Sequence, residues 1–73
     1  MDHFRTCLTA LRIGLDWSHG PIRCSRVDDQ FKVERLRGVA WREIARTDTA
    51  TVAALVCVRA ARLTPPGEEA MSS

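Results

Sequence analysis

The feature of this chain that most constrains its fold is an unbroken apolar run near the C-terminal end. Seven consecutive apolar residues extend from Val52 to Val58, and Thr64-Pro65-Pro66-Gly67 follows soon after. A run of this length is too short to cross a bilayer, and two consecutive prolines cannot continue a helix. The pattern therefore predicts a helix over 50–63 that is apolar nearly all round from residue 50 to 58. Such a helix must be buried on every side, in a core or against another protein.

The size and composition predict one small folded domain. The chain has 73 residues, of which 45% are hydrophobic and 27% are charged. This composition is ordinary for a folded protein, and the length allows one domain at most. We expect a single helical domain over residues 1–63 and a disordered tail over 64–73.

The charge distribution favours an anionic partner. The formal net charge is +2, but the residues before position 64 carry +4, because Glu68 and Glu69 lie in the tail. Ten of the eleven basic residues are Arg, the side chain best suited to bidentate contacts with phosphate or carboxylate. A basic, Arg-rich domain is typical of proteins that bind anions. GC-rich coding is the alternative explanation for the excess of Arg over Lys.

The first half of the chain predicts a helix, a turn and an ambiguous segment. A helix from Asp2 to about Asp16 would align its apolar residues on one face, namely Phe4, Cys7, Leu8, Leu11 and Leu15. Gly20-Pro21 then predicts a turn. Residues 22–36 alternate well enough for a β-hairpin around Asp28-Asp29. We favour a helix there, with Asp28 as its N-cap and Gly38 as its stop signal.

The second half predicts two more helices, one over 40–46 and one over 50–63, with a break near Asp48 or Thr49. The predicted fold is therefore an all-α domain of three or four helices. The alternative is an α+β fold with a β-hairpin at 22–36.

The predicted helices of residues 28–63 have the pattern of a helix-turn-helix unit. In Leu36-Arg37-Gly38-Val39-Ala40-Trp41-Arg42-Glu43-Ile44-Ala45, Ile44 would point inward and Ala45 would let two crossing helices approach. This phrase resembles the helix-turn-helix superfamily, in the style of resolvases, sigma-factor DNA-binding regions and phage small-terminase subunits. The resemblance implies a DNA-binding accessory or regulatory protein of the kind found in phages or mobile elements. The residues that would then meet DNA are Arg35, Arg37, Arg42, Arg46 and Thr51.

The apolar helix supports a second hypothesis, a small protein-interaction module that acts as an adaptor or inhibitor. Its interface would consist of Val52, Leu55, Val56, Arg59 and Leu63. Because small domains are often stabilised by association, we expect a homo-oligomer under either hypothesis.

The remaining residues predict neither catalysis nor a cofactor. His3, Cys7, His19 and Cys24 include the ligand types that zinc prefers, but no Cys-x2-Cys pair is present. We therefore expect no metal. His19, Cys24 and Asp28 or Asp29 could form a nucleophile–base set, but a domain this small offers little room for an enclosed pocket. The N-terminus lacks the layout of a secretory signal. We expect a cytoplasmic protein with reduced, buried thiols and no membrane segment.

Overall fold

The computed structural model describes residues 3–63, which form an α+β fold. Helix α1 (His3–Arg12) precedes four strands, and helix α2 (Ala50–Ala60) follows them. The strands are β1 (Trp17–His19), β2 (Ile22–Val27), β3 (Gln30–Arg37) and β4 (Ala40–Thr47). They form one antiparallel sheet in the order β1-β2-β3-β4. The prediction of an all-α domain is therefore wrong. The alternative is correct, with the hairpin reaching Arg37. The predicted tail, 64–73, lies outside the described residues.

Three two-residue turns connect the strands, and each begins with a residue of positive φ. These residues are Gly20, Asp28 and Gly38, with φ of 57°, 58° and 62°. A positive φ at the first loop position is shared by the type I′ and II′ turns, whose twist fits that of the flanking strands. Glycine adopts this φ without steric cost, and Asp tolerates it better than most residues. The turn residues therefore explain why the chain reverses direction at these points.

The helix that we predicted after Asp28 is strand β3. Phe31 and Val33 are buried, whereas Gln30 is exposed and Lys32 is half-buried, which is the period of two that a strand requires. Asp28 starts the turn instead of capping a helix. An Asp side chain can accept hydrogen bonds from nearby backbone N–H groups both in a turn and at a helix N-cap. The residue type at position 28 therefore did not distinguish a turn from a helix start.

The helix that we predicted over 40–46 is strand β4, at the edge of the sheet. A bulge lies at Ile44, because Glu43 is opposite Glu34 whereas Ala45 is opposite Val33. Ile44, which we expected to point inward, is 44% exposed. A bulge inserts one residue and disturbs the alternation of a strand. The spacing of Trp41, Ile44 and Ala45 consequently looked helical.

The two helices were predicted with different accuracy. α2 begins at Ala50 as expected, with the Thr49 hydroxyl accepting a hydrogen bond from the Val52 backbone N–H at 3.3 Å. It ends at Ala60, three residues before the predicted end. α1 ends at Arg12, so Leu15 lies beyond the helix and is 59% exposed. Leu15 therefore does not belong to the buried face of α1.

Both helices pack on the same face of the sheet and enclose the core between the two layers. The largest fully buried side chains come from every layer and include Leu11, Ile22, Val33 and Val58. The three cysteines, Cys7, Cys24 and Cys57, are also fully buried and come from α1, β2 and α2. The opposite face of the sheet, which we call the open face, carries no helix.

Candidate anion-binding surface

The antiparallel order of the strands determines which turns share an end of the molecule. The β1–β2 turn and the β3–β4 turn lie at one end, and the β2–β3 turn lies at the other. Helix α1 begins at the first end, because the rings of His3 and His19 are 5.2 Å apart. Helix α2 begins just after β4 finishes at the second end and packs on the sheet, so it runs back toward the first.

Arginines concentrate at the first end, which we call the basic end. Arg35 and Arg42 lie directly opposite each other on β3 and β4. Arg37 lies two residues beyond Arg35, so it shares the same face of the sheet. This is the face that carries the helices, since Val33 of the core has the same parity as Arg35 and Arg37. Arg37, Arg42 and the turn between the two strands are exposed, whereas Arg35 and Trp41 are half-buried, so the tip of the hairpin extends beyond the helices.

These three arginines form no ion pair within residues 3–63, and Glu43, which lines a pocket with Arg37 and Arg42, is bonded to Arg46 instead. The ion pairs there involve Arg23, Lys32 and Arg46, with Glu34 or Glu43. Like charges directly opposite each other destabilise a sheet. Arg35 and Arg42 therefore cost stability in the free protein, and an anion bound between them would offset that cost.

On the open face, by contrast, charged side chains of the sheet form ion pairs. Glu34 is 8% exposed, and its carboxylate lies 3.0 Å from Arg23 Nε and 3.8 Å from Lys32 Nζ. The Arg23 guanidinium also lies 4.1 Å from the centroid of the Trp41 ring. A groove of about 460 Å³ on this face is lined by two acids and two bases, Asp16, Glu34, Arg23 and Lys32, among others. The charges that line this groove balance, so the groove does not attract anions.

The end of α2 adds two further arginines. Arg59 and Arg62 are exposed at or just beyond the last turn of the helix, where a cation also stabilises the helix dipole. Because α2 runs toward the basic end, these side chains extend the positive surface formed by the β3–β4 hairpin.

The opposite end, which we call the acidic end, holds the aspartates, although Arg12, Arg26 and Arg46 also lie near it. Every Asp in residues 3–63 lies in a connection at that end; they are Asp16, Asp28, Asp29 and Asp48. The acids and bases at this end roughly balance, so the net positive charge of the described residues is concentrated at the basic end. Such a distribution of charge orients an approaching anion toward the arginines.

The residues predicted to meet DNA do not all lie together. Arg35, Arg37 and Arg42 share the basic end, although they lie on strands and not on helices. Arg46 is opposite Lys32 and donates a 2.7 Å hydrogen bond to Glu43 on the open face; this contact raises the pKa of Arg46. Thr51 lies in the first turn of α2, near the acidic end. What sequence reasoning missed is the strand register that places Arg35 beside Arg42.

The predicted protein interface is largely used inside the molecule. Val56 and Leu63 pack against the core, and Leu55 is half-buried. Val52 is 46% exposed, and Arg59 is exposed. Most of the apolar surface that suggested a docking helix therefore covers the sheet and α1.

The three thiols form a buried cluster with no surface nucleophile. The Cys57 thiol forms hydrogen bonds with Cys24 and Cys7, and these contacts together with burial raise the pKa of Cys57. The hydrogen bond with Cys57 lowers the pKa of Cys24. No set of His, Cys, Asp and Glu side chains between His3 and Leu63 is arranged to hold a metal ion. The cysteines thus pack as small hydrophobic residues.

Comparisons with known proteins add no assignment. Neither protein-family models nor characterised proteins nor solved structures match this chain. Among the described residues, no helix has the length and apolar character needed to cross a membrane. The functional inference therefore depends on the chemistry of the basic end.

Proposed function

We propose that this protein binds the phosphate backbone of double-stranded DNA through its basic end. The observation that carries the proposal is the unneutralised pair Arg35–Arg42, with Arg37 beside it on the exposed β3–β4 hairpin. Guanidinium groups bind phosphate oxygens through paired, charge-assisted hydrogen bonds. Phosphates spaced along a DNA strand would neutralise several of these arginines at once.

The lack of a large exposed aromatic surface at the basic end within residues 3–63 favours a duplex over a single strand. Proteins that bind single strands stack bases on exposed aromatic side chains. Trp17 and Phe31 are buried, and Trp41 lies on the open face with a guanidinium over its ring. Phe4 is half-buried and packs against the core, so the basic end within residues 3–63 offers charge without a large aromatic stacking surface, apart from the His3 and His19 rings.

The shape of the hairpin favours DNA over double-stranded RNA. A two-stranded β-ribbon fits the wide major groove of B-form DNA. The major groove of A-form RNA is too narrow and deep for side chains to reach the bases. The projecting β3–β4 hairpin has the dimensions of such a ribbon.

Salt-dependent binding to a generic duplex tests the proposal. Each phosphate contact contributes about 0.9 to the slope of log affinity against log salt. We expect Arg35→Gln with Arg42→Gln to lower that slope by about 2 and to weaken binding at least tenfold near physiological salt. The matched control is Arg12→Gln with Arg26→Gln, which removes the same charge near the acidic end and should leave the slope nearly unchanged.

Two outcomes would contradict the proposal. One is the absence of duplex retention by the parent protein at low salt. The other is an equal loss of binding in the two double variants, which would show that only the total charge matters. The protein-interaction module and the homo-oligomer remain predictions from the sequence.

A further inference from the structure

The tip of the β3–β4 hairpin carries a fully exposed apolar side chain between the arginines. Val39 is 101% exposed, the highest value among the exposed large hydrophobic residues of the described chain. It follows Gly38 in a two-residue turn, so no other side chain covers it. Exposure of one apolar residue is common on protein surfaces. Here, however, the residue occupies the most projecting point of a positively charged hairpin.

The geometry of the turn makes the tip narrow. Gly38 has φ of 62°, and no heavy atom lies within 4 Å of the position that a Cβ there would occupy. Two antiparallel strands lie about 5 Å apart, whereas the major groove is about 12 Å wide and 8.5 Å deep. A ribbon closed by such a turn can therefore enter the groove tip first. Arg35, Arg37 and Arg42 lie on one face of the ribbon, so they then point toward the phosphates on one side of the groove.

We propose that Val39 enters the major groove of DNA and contacts the 5-methyl group of thymine, while Arg35, Arg37 and Arg42 bind the flanking phosphates. This inference rests on the proposed function and adds a base-contacting residue to it. Among base edges in the major groove, only thymine presents a methyl group, and apolar side chains recognise it by contact. The result is a modest preference for thymine within binding that is otherwise independent of sequence.

Replacement of thymine by uracil tests this contact, since uracil lacks only the methyl group. The probes are two short duplexes of A·T pairs, one with thymine and one with uracil in its place. Burial of one methyl-sized group contributes about 0.8 kcal/mol, or roughly a fourfold change in affinity. We expect the parent to bind the thymine duplex about fourfold more tightly for each methyl group contacted. Val39→Ser should bind both duplexes equally.

Val52→Ser is the matched control, because Val52 is an exposed valine near the acidic end. It should keep the preference for thymine. Equal binding of the two duplexes by the parent, or a preference that persists in Val39→Ser, would overturn the role of Val39. Both results leave the proposed function intact, provided that the Arg35 and Arg42 variants still weaken binding. Failure of the parent to bind either duplex at low salt would instead reject the proposed function itself.

Discussion

At the scale of single residues, backbone conformation at the turns decided the fold more than side-chain type did. Asp28 fits a helix N-cap and a left-handed turn position equally well by composition, and the turn is what forms, with φ of 58°. Gly38 looked like a helix stop and is the start of a hairpin turn. The sequence showed where the chain breaks but not in which direction it continues.

The left-handed φ of Gly38 leads to a residue-level prediction. We expect Gly38→Ala to lower the free energy of unfolding by about 1 kcal/mol, since an L-residue pays that cost in the left-handed region. The added Cβ meets no atom within 4 Å, so backbone strain, and not a steric clash, causes the loss of stability. Urea denaturation measures the effect. Asp28→Gly should raise the free energy of unfolding by about 0.5 kcal/mol, because glycine adopts a positive φ more easily than Asp. An unchanged midpoint in both variants would show that the turns are not strained.

At the scale of elements, the predictions succeeded where one pattern dominates and failed where two compete. The apolar run predicted the start of α2 at Ala50 correctly and placed its end three residues too late. For β4, the bulge at Ile44 placed apolar residues at helical spacing, and no local signal corrected this. β3 and β4 are stabilised by pairing with neighbouring strands, and such long-range pairing is not visible in a local window.

The N-cap of α2 gives a prediction at this scale. Thr49 supplies the hydroxyl that accepts the Val52 N–H, so Thr49→Ala should destabilise the protein by about 1 kcal/mol. Thr51→Ala is the matched control, because Thr51 is exposed in the first turn of the same helix, and its change should stay within about 0.5 kcal/mol. Thermal or urea unfolding measures both. Equal effects would indicate that helix propensity, and not the cap, determines the stability of α2.

At the scale of the whole molecule, the candidate site arises from topology. The sequence indicated an Arg-rich domain with an anionic partner, and it named Arg35, Arg37 and Arg42 for a different reason, as parts of helices. It did not indicate that every Asp of the described chain lies in a connection at the opposite end. That separation follows from the antiparallel order of the strands and the return path of α2, which depend on contacts between distant residues.

The buried cysteines allow unfolding of the protein to be followed by thiol labelling. Cys7, Cys24 and Cys57 are 0% exposed, so a thiol-reactive dye can label them only after the fold opens. The labelling rate then follows the population of the open state. Leu11→Ala, which removes a side chain that is 2% exposed, should accelerate labelling about a hundredfold, for a loss of about 3 kcal/mol. Leu15→Ala should not change the rate. Immediate labelling of the parent would contradict the burial of the three thiols.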